Sequence, residues 1–252
     1  MSADADWPEG VARHVLGQTD STMSEAARLA PHLSGPAWVF AHKQTAGRGR
    51  RGRDWIAPEG NFAATCVFRP AVSPPTAALY SFVAALALEE ALRRVAGPGP
   101  VLSIKWPNDV LLNGGKVAGI LLESVSAGGA VGHLAIGIGV NLAAAPPVGA
   151  LEPHAMRAVS LAGETGLSVA PLAFLPPLAC AFARHAAVFD REGFAPIRAA
   201  WLARAARIGQ RITARTGTES RDGIFETIDE TGALILNTGA TRHAISAADI
   251  FF

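Results

Sequence analysis

The sequence contains few cysteines and no apolar run long enough to span a membrane. Its two cysteines, Cys66 and Cys180, lie in apolar segments without the spacing of metal ligands, so we expect reduced core residues rather than a disulfide or a metal site. The longest apolar stretch, residues 76–88, is shorter than a membrane span and runs directly into Glu89 and Glu90. It therefore predicts a buried helix, and we expect no membrane association.

Charge of either sign is also scarce. Charged residues make up 17% of the chain, half of the chain is hydrophobic, and 22 Lys and Arg nearly balance 21 Asp and Glu. This composition predicts a folded chain, and the net charge of +1 gives no global attraction to nucleic acid or to an anionic membrane. Residues 1–10 lack the basic and apolar regions of a signal peptide, so we expect a cytoplasmic protein.

The spacing of apolar residues predicts helices and strands over the first four fifths of the chain. Thr22 followed by Glu25 fits a capping box that opens a helix ending at Pro31. Further helices are predicted at residues 76–95, 171–191 and 196–206, and strands at 37–42, 61–69, 101–106, 110–112, 116–124 and 131–142. Short connections, such as a predicted turn at residues 127–129, make successive strands antiparallel. Pro176-Pro177 is expected to kink or divide its helix.

The pattern changes at Gly209 to short β-like runs separated by turn residues. These runs cover residues 210–215, 223–228, 233–237 and 241–245, and they predict a small barrel. So short a unit buries too little apolar surface to be stable alone, so we expect it to dock against the larger domain.

A basic loop interrupts the neutral chain. Residues Gly47 to Arg53, here called the Gly-Arg loop, hold four arginines and three glycines and should bind anions. No helix follows the loop, which excludes a dinucleotide fingerprint, and the chain has no P-loop motif. Nucleotide phosphates, nucleic-acid phosphates and a merely solvated basic turn remain as alternatives. A single basic island in a neutral chain favours a small polyphosphate.

Two further segments carry polar residues within predicted strands. Residues 105–109, Lys-Trp-Pro-Asn-Asp, form a corner, and Lys116 follows a tight turn at residues 113–115. Strand alternation predicts that Lys116 shares a face with Ala118, Ile120 and Leu122; the alternative is a lysine that reaches out to solvent. Further along, residues 137, 139 and 141 place Gly, Gly and Asn on one face, which indicates a closely approaching ligand, a bulge or a tight helix–sheet contact.

Together these segments resemble biotin protein ligases. The resemblance rests on residues 44–53, 105–109, 116–121 and 139–141, in matching order and spacing, with residues 20–22 resembling the family's biotin-contacting start. It implies an α+β fold: a mixed, mainly antiparallel sheet with helices, similar to class II aminoacyl-tRNA synthetases, followed by an SH3-like β-barrel. On this basis we expect a catalytic domain at residues 1–206 and the barrel at 207–252.

The resemblance also implies an activity. Such enzymes use ATP to convert biotin to biotinyl-5′-AMP, and then transfer biotin to a lysine of a biotin carboxyl carrier protein or domain. Mg²⁺ should accompany ATP, with phosphate oxygens and water as most of its ligands. Some members carry an N-terminal DNA-binding domain, but only about twenty residues precede Ser21, so we expect no direct DNA recognition. A homodimer remains open.

Site residues follow from the matched motifs. As catalytic residues the resemblance implies Lys116, Arg50 and Asp109, of which Asp109 would assist the acceptor amine or simply pair with Lys105. Biotin-binding residues are expected at Ser21, Thr22, Met23, Gln44, Gly47, Arg48, Gly49, Arg50, Lys116 and Gly119. Nucleotide-binding residues are expected at Arg48, Arg50, Arg53, Lys105, Asn108, Lys116 and Asn141. No dedicated metal-binding residues are expected.

The chain departs from the family in two places, and three rivals remain. The family commonly has Asn where Met23 stands, and no aromatic residue that could stack on adenine lies between Asn141 and Phe174. A lipoate or octanoate ligase shares the general fold, although the Gly-Arg loop and the corner resemble the biotin branch. A nucleic-acid-binding module and an inactive ligand-binding protein are the other rivals.

Overall fold

The computed structural model describes residues 7–127, 130–147, 149, 156–216 and 219–252. Most of the turn predicted at residues 127–129 therefore lies outside the described residues. Two sheets account for the strands of the described part, one with seven strands and one with five. The larger sheet has the order β1-β2-β3-β7-β6-β5-β4. Its strands are β1 (Ala12–Thr19), β2 (Ala37–Gln44), β3 (Phe62–Phe68), β4 (Leu102–Lys105), β5 (Asp109–Leu112), β6 (Gly115–Ala127) and β7 (Ala130–Val140).

The larger sheet is mainly antiparallel, as predicted. The exception is β1, which pairs with β2 in parallel at one edge of the sheet. The sequence did not predict β1, because most of its side chains are exposed or half-buried and show no apolar alternation. Edge strands need not bury a face, so their sequences carry a weaker pattern.

Helices cover the two faces of this sheet unequally. On one face, α3 (Tyr80–Ala96) and α5 (Pro171–Glu192) pack together over the core, preceded by the short α2 (Pro74–Ala78). On the other face lies α1 (Thr22–Leu29), followed by a 3-10 turn over Ala30–His32. Although no span was expected from the sequence, the helical segments Pro74–Ala96 and Pro171–Glu192 are, by length and composition alone, long and apolar enough to cross a membrane; 72% of the apolar part of the first and 39% of that of the second are buried inside the fold. The predicted buried helix is therefore present.

Two helix predictions differ from the structure in detail: the helix that contains Pro176-Pro177 is not divided, and the helix predicted at residues 196–206 begins and ends earlier. Pro176 and Pro177 lie inside α5 without dividing it. They remove two backbone donors, but their neighbours Leu175 and Leu178 are fully buried, so tertiary packing holds the helix together across that gap. The next helix, α6, spans Phe194–Leu202, and α4 (Leu161–Thr165) had not been predicted.

The five-stranded sheet shares its core with the larger unit. It has the order β11-β10-β9-β8-β12, with β8 (Arg211–Arg215), β9 (Ser220–Ile228), β10 (Leu234–Asn237), β11 (Arg242–Ile245) and β12 (Asp249–Phe251). The ring of Trp201 lies 5.4 Å from Phe82 in α3 and 6.5 Å from Phe225 in β9, between centroids. Trp106 donates its Nε1–H to the carbonyl of Gly232 at 3.0 Å. The docking expected from the small size of the barrel is therefore observed.

Candidate active site

The floor of the candidate site is a strip of glycines on the helix α1 side of the sheet. Gly139 pairs with Gly119 on β6 and with Ala63 on β3, while Gly137 pairs with Leu121 and Thr65. Their neighbours along the strands, such as Ile136 and Ile138, point into the core beneath α3 and α5. Because a glycine has no side chain, this strip forms a depression rather than a packed surface.

Two large side chains lie in this depression. A Cβ added at Gly137 would be 2.8 Å from Sδ of Met23, and one added at Gly139 would be 2.4 Å from the ring of Trp55. Both distances are shorter than real contacts, so the glycines are required by these neighbours. The indole Nε1 of Trp55 is buried and has no hydrogen-bond partner among the described residues. A ligand atom could accept this hydrogen bond.

A polar cluster at the start of α1 lines part of the cleft. Ser21 caps α1 by accepting from the backbone N–H of Met23 at 3.2 Å. Oε1 of Gln44 accepts from the backbone N–H and the hydroxyl of Thr22, at 2.8 and 3.1 Å. Thr65 in turn donates its hydroxyl to Thr22 at 2.9 Å. Ser21, Thr22 and Thr65 are buried. Their hydroxyls and the amide of Gln44 therefore form a group of buried donors and acceptors beside the cleft.

An ion pair at the surface fixes the start of α1. Asp20 accepts hydrogen bonds from Arg28 and from the backbone N–H of Ser21, the first of which has the larger effect in lowering the pKa of its carboxyl well below the usual range. Since Ser21 and Thr22 follow Asp20 directly, this contact orients the polar cluster from outside.

Lys116 and Asp109 form the charged part of the floor. Nζ of Lys116 lies 2.7 Å from the carboxylate of Asp109 and 5.7 Å from the centroid of the Trp55 ring. The predicted alternation was wrong here, because a β-bulge between Val110 and Leu111 shifts the register of β6. Lys116 consequently lies in the cleft with Gly119, whereas Ala118 and Ile120 lie in the core. A bulge re-aims a side chain in this way.

The Gly-Arg loop meets the Lys-Trp-Pro-Asn-Asp corner across the cleft. Arg50 donates to the side-chain oxygen of Asn108 at 3.0 Å, and Asn108 donates to the carbonyl of Ile120 at 2.7 Å. Arg50 and Lys105 are half-buried, and partial burial lowers the pKa of each. Half-buried cations of this kind favour an anionic ligand.

The structure brings the sequence-predicted site residues to a single cleft of about 820 Å³. The cleft is lined by Ser21, Thr22, Met23, Gln44, Arg48, Gly49, Arg50, Arg53, Lys105, Asn108, Asp109, Lys116, Gly119 and Asn141. The remaining predicted residue, Gly47, lies behind the lining, where an added Cβ would be 2.8 Å from the carbonyl oxygen of Trp55.

Several lining residues were not predicted. Trp55 follows the Gly-Arg loop directly, and its position in the sequence could have drawn attention to it. Further missed residues belong to the larger domain, among them Arg51, Met156 and Arg157, and others to the barrel and the segment before it, among them Arg207, Arg215, Phe251 and Phe252. No local pattern marks the barrel residues, because their place in the cleft depends on how the barrel docks. They supply aromatic rings to a cleft that lacks one from the segment after β7.

Comparison with known proteins decides the family. The profile of the Biotin/lipoate A/B protein ligase family matches residues 15–141, and that of the Biotin protein ligase C terminal domain matches residues 208–252. A biotin–[acetyl-CoA-carboxylase] ligase from Paracoccus denitrificans is 61% identical over 238 residues, covering 94% of this chain and 99% of that protein. This chain belongs to the biotin protein ligase family.

More distant biotin protein ligases share the architecture. The bifunctional ligase/repressor BirA of Bacillus subtilis is 33% identical over 94% of this chain and 71% of its own length. A biotin protein ligase from Aquifex aeolicus, solved in complex with biotin and ATP, superimposes with a TM-score of 0.76 at 24% identity, covering 95% of this chain and 97% of that one. The fold predicted from the motifs, a mainly antiparallel α+β domain with an SH3-like barrel, is therefore confirmed.

Proposed function

We propose that this biotin protein ligase activates biotin with ATP to biotinyl-5′-AMP and then transfers biotin to a lysine of a biotin carboxyl carrier protein or domain. One observation carries the proposal: Lys116 and Arg50 line the same glycine-floored cleft as the polar cluster at the start of α1. A cleft that combines an apolar recess with several cations suits an apolar carboxylic acid beside a polyphosphate. The names of the relatives agree with this assignment.

The polar cluster suits the ureido ring of biotin. A buried ureido group needs both donors and acceptors, since an unpaired polar group in an apolar site is costly. Ser21, Thr22 and Gln44 offer hydroxyls and an amide in the lining of the cleft. Met23 and Trp55, which lie on the glycine floor, would then form apolar walls for the sulfur ring and the acyl chain.

The cations suit the first reaction step. An oxygen of the biotin carboxylate attacks the α-phosphorus of ATP, a new C–O–P linkage forms, and the bond to pyrophosphate breaks. Two anions must approach each other, and Lys116 would offset their repulsion at the point where charge develops. Asp109 would hold the Lys116 ammonium in place, 2.7 Å away. Arg48, Arg50, Arg53, Lys105, Asn108 and Asn141 would contact the nucleotide.

The second step is an acyl transfer. The acceptor amine attacks the carbonyl carbon, AMP leaves with the bonding electrons, and the amine loses a proton. Because a free lysine has a pKa near ~10.4, the amine must be deprotonated before it attacks. Asp109 lies beside Lys116 in the cleft. It would orient that amine or accept a proton from it.

We propose that magnesium accompanies ATP, with phosphate oxygens and water as most of its ligands, and neutralises part of the phosphate charge. Asp109 and Asp249, two carboxylates of the cleft, are engaged by Lys116 and by Arg51 and Arg53. Among the described residues, no group of three or more His, Cys, Asp or Glu side chains is placed to hold a metal ion.

We further propose a cytoplasmic enzyme that acts without binding DNA.

Replacement of Lys116 tests the proposal. Lys116→Ala should slow biotin-dependent exchange of pyrophosphate into ATP by about 100-fold or more, as expected for loss of a group that stabilises developing charge. Lys43→Ala is the matched control, because Lys43 is exposed on β2 and lies outside the cleft lining. Exchange that survives Lys116→Ala at the control rate would show that Lys116 has been misassigned.

The rival functions are separated by the same preparation. Mass spectrometry of a biotin carrier domain incubated with the protein, ATP, Mg²⁺ and biotin should show biotin added to one lysine. Replacing biotin by lipoate should abolish exchange, whereas a lipoate ligase would prefer lipoate. Oligonucleotide binding that weakens with salt, without ATP turnover, would favour the nucleic-acid module instead.

A further inference from the structure

An aspartate of the barrel contacts the tip of the Gly-Arg loop. Asp249 begins β12, and its Oδ2 lies 2.5 Å from Nη1 of Arg51 and 3.4 Å from Nη2 of Arg53. All three residues line the cleft. The barrel therefore holds the loop through one carboxylate shared by two guanidinium groups.

The backbone of the loop tip needs such a contact. Arg51 has φ 58° and ψ 31°, the left-handed region, and Gly52 follows with φ 73°. A left-handed residue with a side chain is strained and persists where its surroundings hold it. Within the loop the backbone is closed by Gly49 N–H to the carbonyl of Arg53 at 2.7 Å. The Arg51 side chain is half-exposed and has Asp249 as its ion-pair partner.

The arginines of the loop are directed to different parts of the protein. Arg50 turns into the cleft and donates to Asn108, and Arg48 lies 3.6 Å from Glu123 on β6. Arg51 and Arg53 contact Asp249 of β12 on the barrel side of the same cleft. Because Arg50 and Arg51 are adjacent, fixing one side chain on the barrel also fixes where the other enters the cleft.

We propose that Asp249 is a positioning residue: acting from the barrel, it holds Arg51 so that the Gly-Arg loop is already ordered and Arg50 points into the cleft before ATP binds. This inference rests on the proposed function. A loop that is ordered beforehand loses less conformational entropy when ligand binds. Removing Asp249 should therefore weaken ATP binding more than it slows the chemical step.

The first test measures ATP turnover. Asp249→Asn should raise the KM for ATP in pyrophosphate exchange by about fivefold, the size expected for loss of a partly exposed ion pair, with kcat and the KM for biotin changed less than twofold. Asp249→Glu should restore most of the loss, because it keeps the charge. Asp222→Asn is the matched control, since Asp222 is an exposed aspartate of the same barrel that accepts from Thr213.

A double-mutant cycle separates positioning from a general effect on the barrel. If Asp249 acts through Arg51, Asp249→Asn should have little further effect on the KM for ATP once Arg51→Gln is present. Fully additive effects of the two changes would overturn the proposal. So would an equal rise in KM for the Asp222→Asn control.

Amide hydrogen exchange supplies a measurement that needs no activity. In the ligand-free protein, the peptide that contains residues 47–53 should exchange faster in Asp249→Asn than in the parent or in Asp222→Asn, while barrel peptides stay protected. Unchanged exchange in this peptide would contradict the positioning role of Asp249, even if the protein is shown to be a ligase. If the parent shows no ATP turnover but the loop exchanges faster in the variant, the proposed function is wrong and the positioning role of Asp249 is supported.

Discussion

At the scale of single residues, the site depends on how two glycines share space with two larger side chains. Gly137 leaves room for the thioether of Met23, and Gly139 leaves room for the ring of Trp55. Met23 therefore occupies the space beside Gly137 with a flexible apolar side chain. A flexible thioether can yield to a small intrusion, whereas an indole ring cannot.

The pairing of Gly137 with Met23 leads to a prediction about biotin. Gly137→Ala should raise the KM for biotin about tenfold, because overpacking of this kind costs about 1–3 kcal/mol and forces Met23 into the recess. The KM for ATP should stay within about twofold. Gly137→Ala combined with Met23→Ala should recover most of the biotin affinity, since the shorter side chain leaves room for the new methyl group.

Kinetics of pyrophosphate exchange over a range of biotin concentrations would measure these constants. Gly17→Ala is the control, because Gly17 lies on the edge strand β1 with nothing within 4 Å of an added Cβ. A double variant as impaired as Gly137→Ala alone would show that Met23 does not form the wall of the biotin recess.

The half-buried ammonium of Lys105 leads to a prediction about pH. Burial lowers the pKa of Lys105 most, the nearby charge of Asp109 raises it, and that of Lys116 lowers it further. As pH rises through this lowered pKa, Lys105 loses its charge earlier than a free lysine would, so the contact with ATP proposed for it should weaken. The KM for ATP should therefore rise on the alkaline side, below the pKa of a free lysine.

Lys105→Arg gives the comparison that isolates this group. A guanidinium keeps its proton over the accessible range, so the alkaline rise in KM for ATP should move to higher pH in this variant. Initial rates measured at several ATP concentrations from neutral to alkaline pH would show it. If the KM for ATP rises over the same alkaline pH range in Lys105→Arg as in the parent, the titrating group is not Lys105.

At the scale of elements, the sequence predicted what local patterns control. The antiparallel core strands, the start of α1 and the two loops of the cleft follow from alternation, capping and turn residues, although the capping residue is Ser21 and not Thr22 as the capping box predicted. Edge strand β1 was missed, because a half-exposed strand carries no strong alternation. The direction of Lys116 was also missed, because the bulge that turns it into the cleft depends on the pairing of β6 with β5.

Long-range packing accounts for the remaining differences between prediction and structure. Pro176-Pro177 would break an isolated helix, but α5 is held by its packing against α3. The backbone of Lys116 donates to the carbonyl of Arg157 at 2.8 Å and accepts from the N–H of Val159 at 2.9 Å. These hydrogen bonds join the cleft to a segment with no recognisable motif. Neither effect can be seen within a window of neighbouring residues.

At the scale of the whole molecule, the cleft is shared between two units. Phe251, Phe252 and Asp249 of the barrel line it together with residues of the larger domain, and the aromatic contacts around Trp201 make the two cores continuous. The sequence predicted that the barrel docks but could not predict where. Activity should therefore depend on how rigidly the segment after α6, which leads into the barrel, is held against the larger domain.

A buried glutamate holds that segment. Glu89 in α3 is 1% exposed and contacts Arg93 on its own helix and Arg204 just after α6, at 3.2 Å in the latter case. Glu89→Gln removes the charge but keeps the shape, so the free energy of unfolding should fall by about 2 kcal/mol, as for hydrogen bonds to charged groups. Glu90→Gln is the matched control, because Glu90 follows Glu89 directly in the same helix but is 43% exposed and pairs with Arg184 and His185. Such surface pairs contribute about 0–1 kcal/mol. Urea unfolding followed by tryptophan fluorescence would measure both. Equal losses of stability for the two variants would mean that Glu89 does not tie the barrel segment to the core.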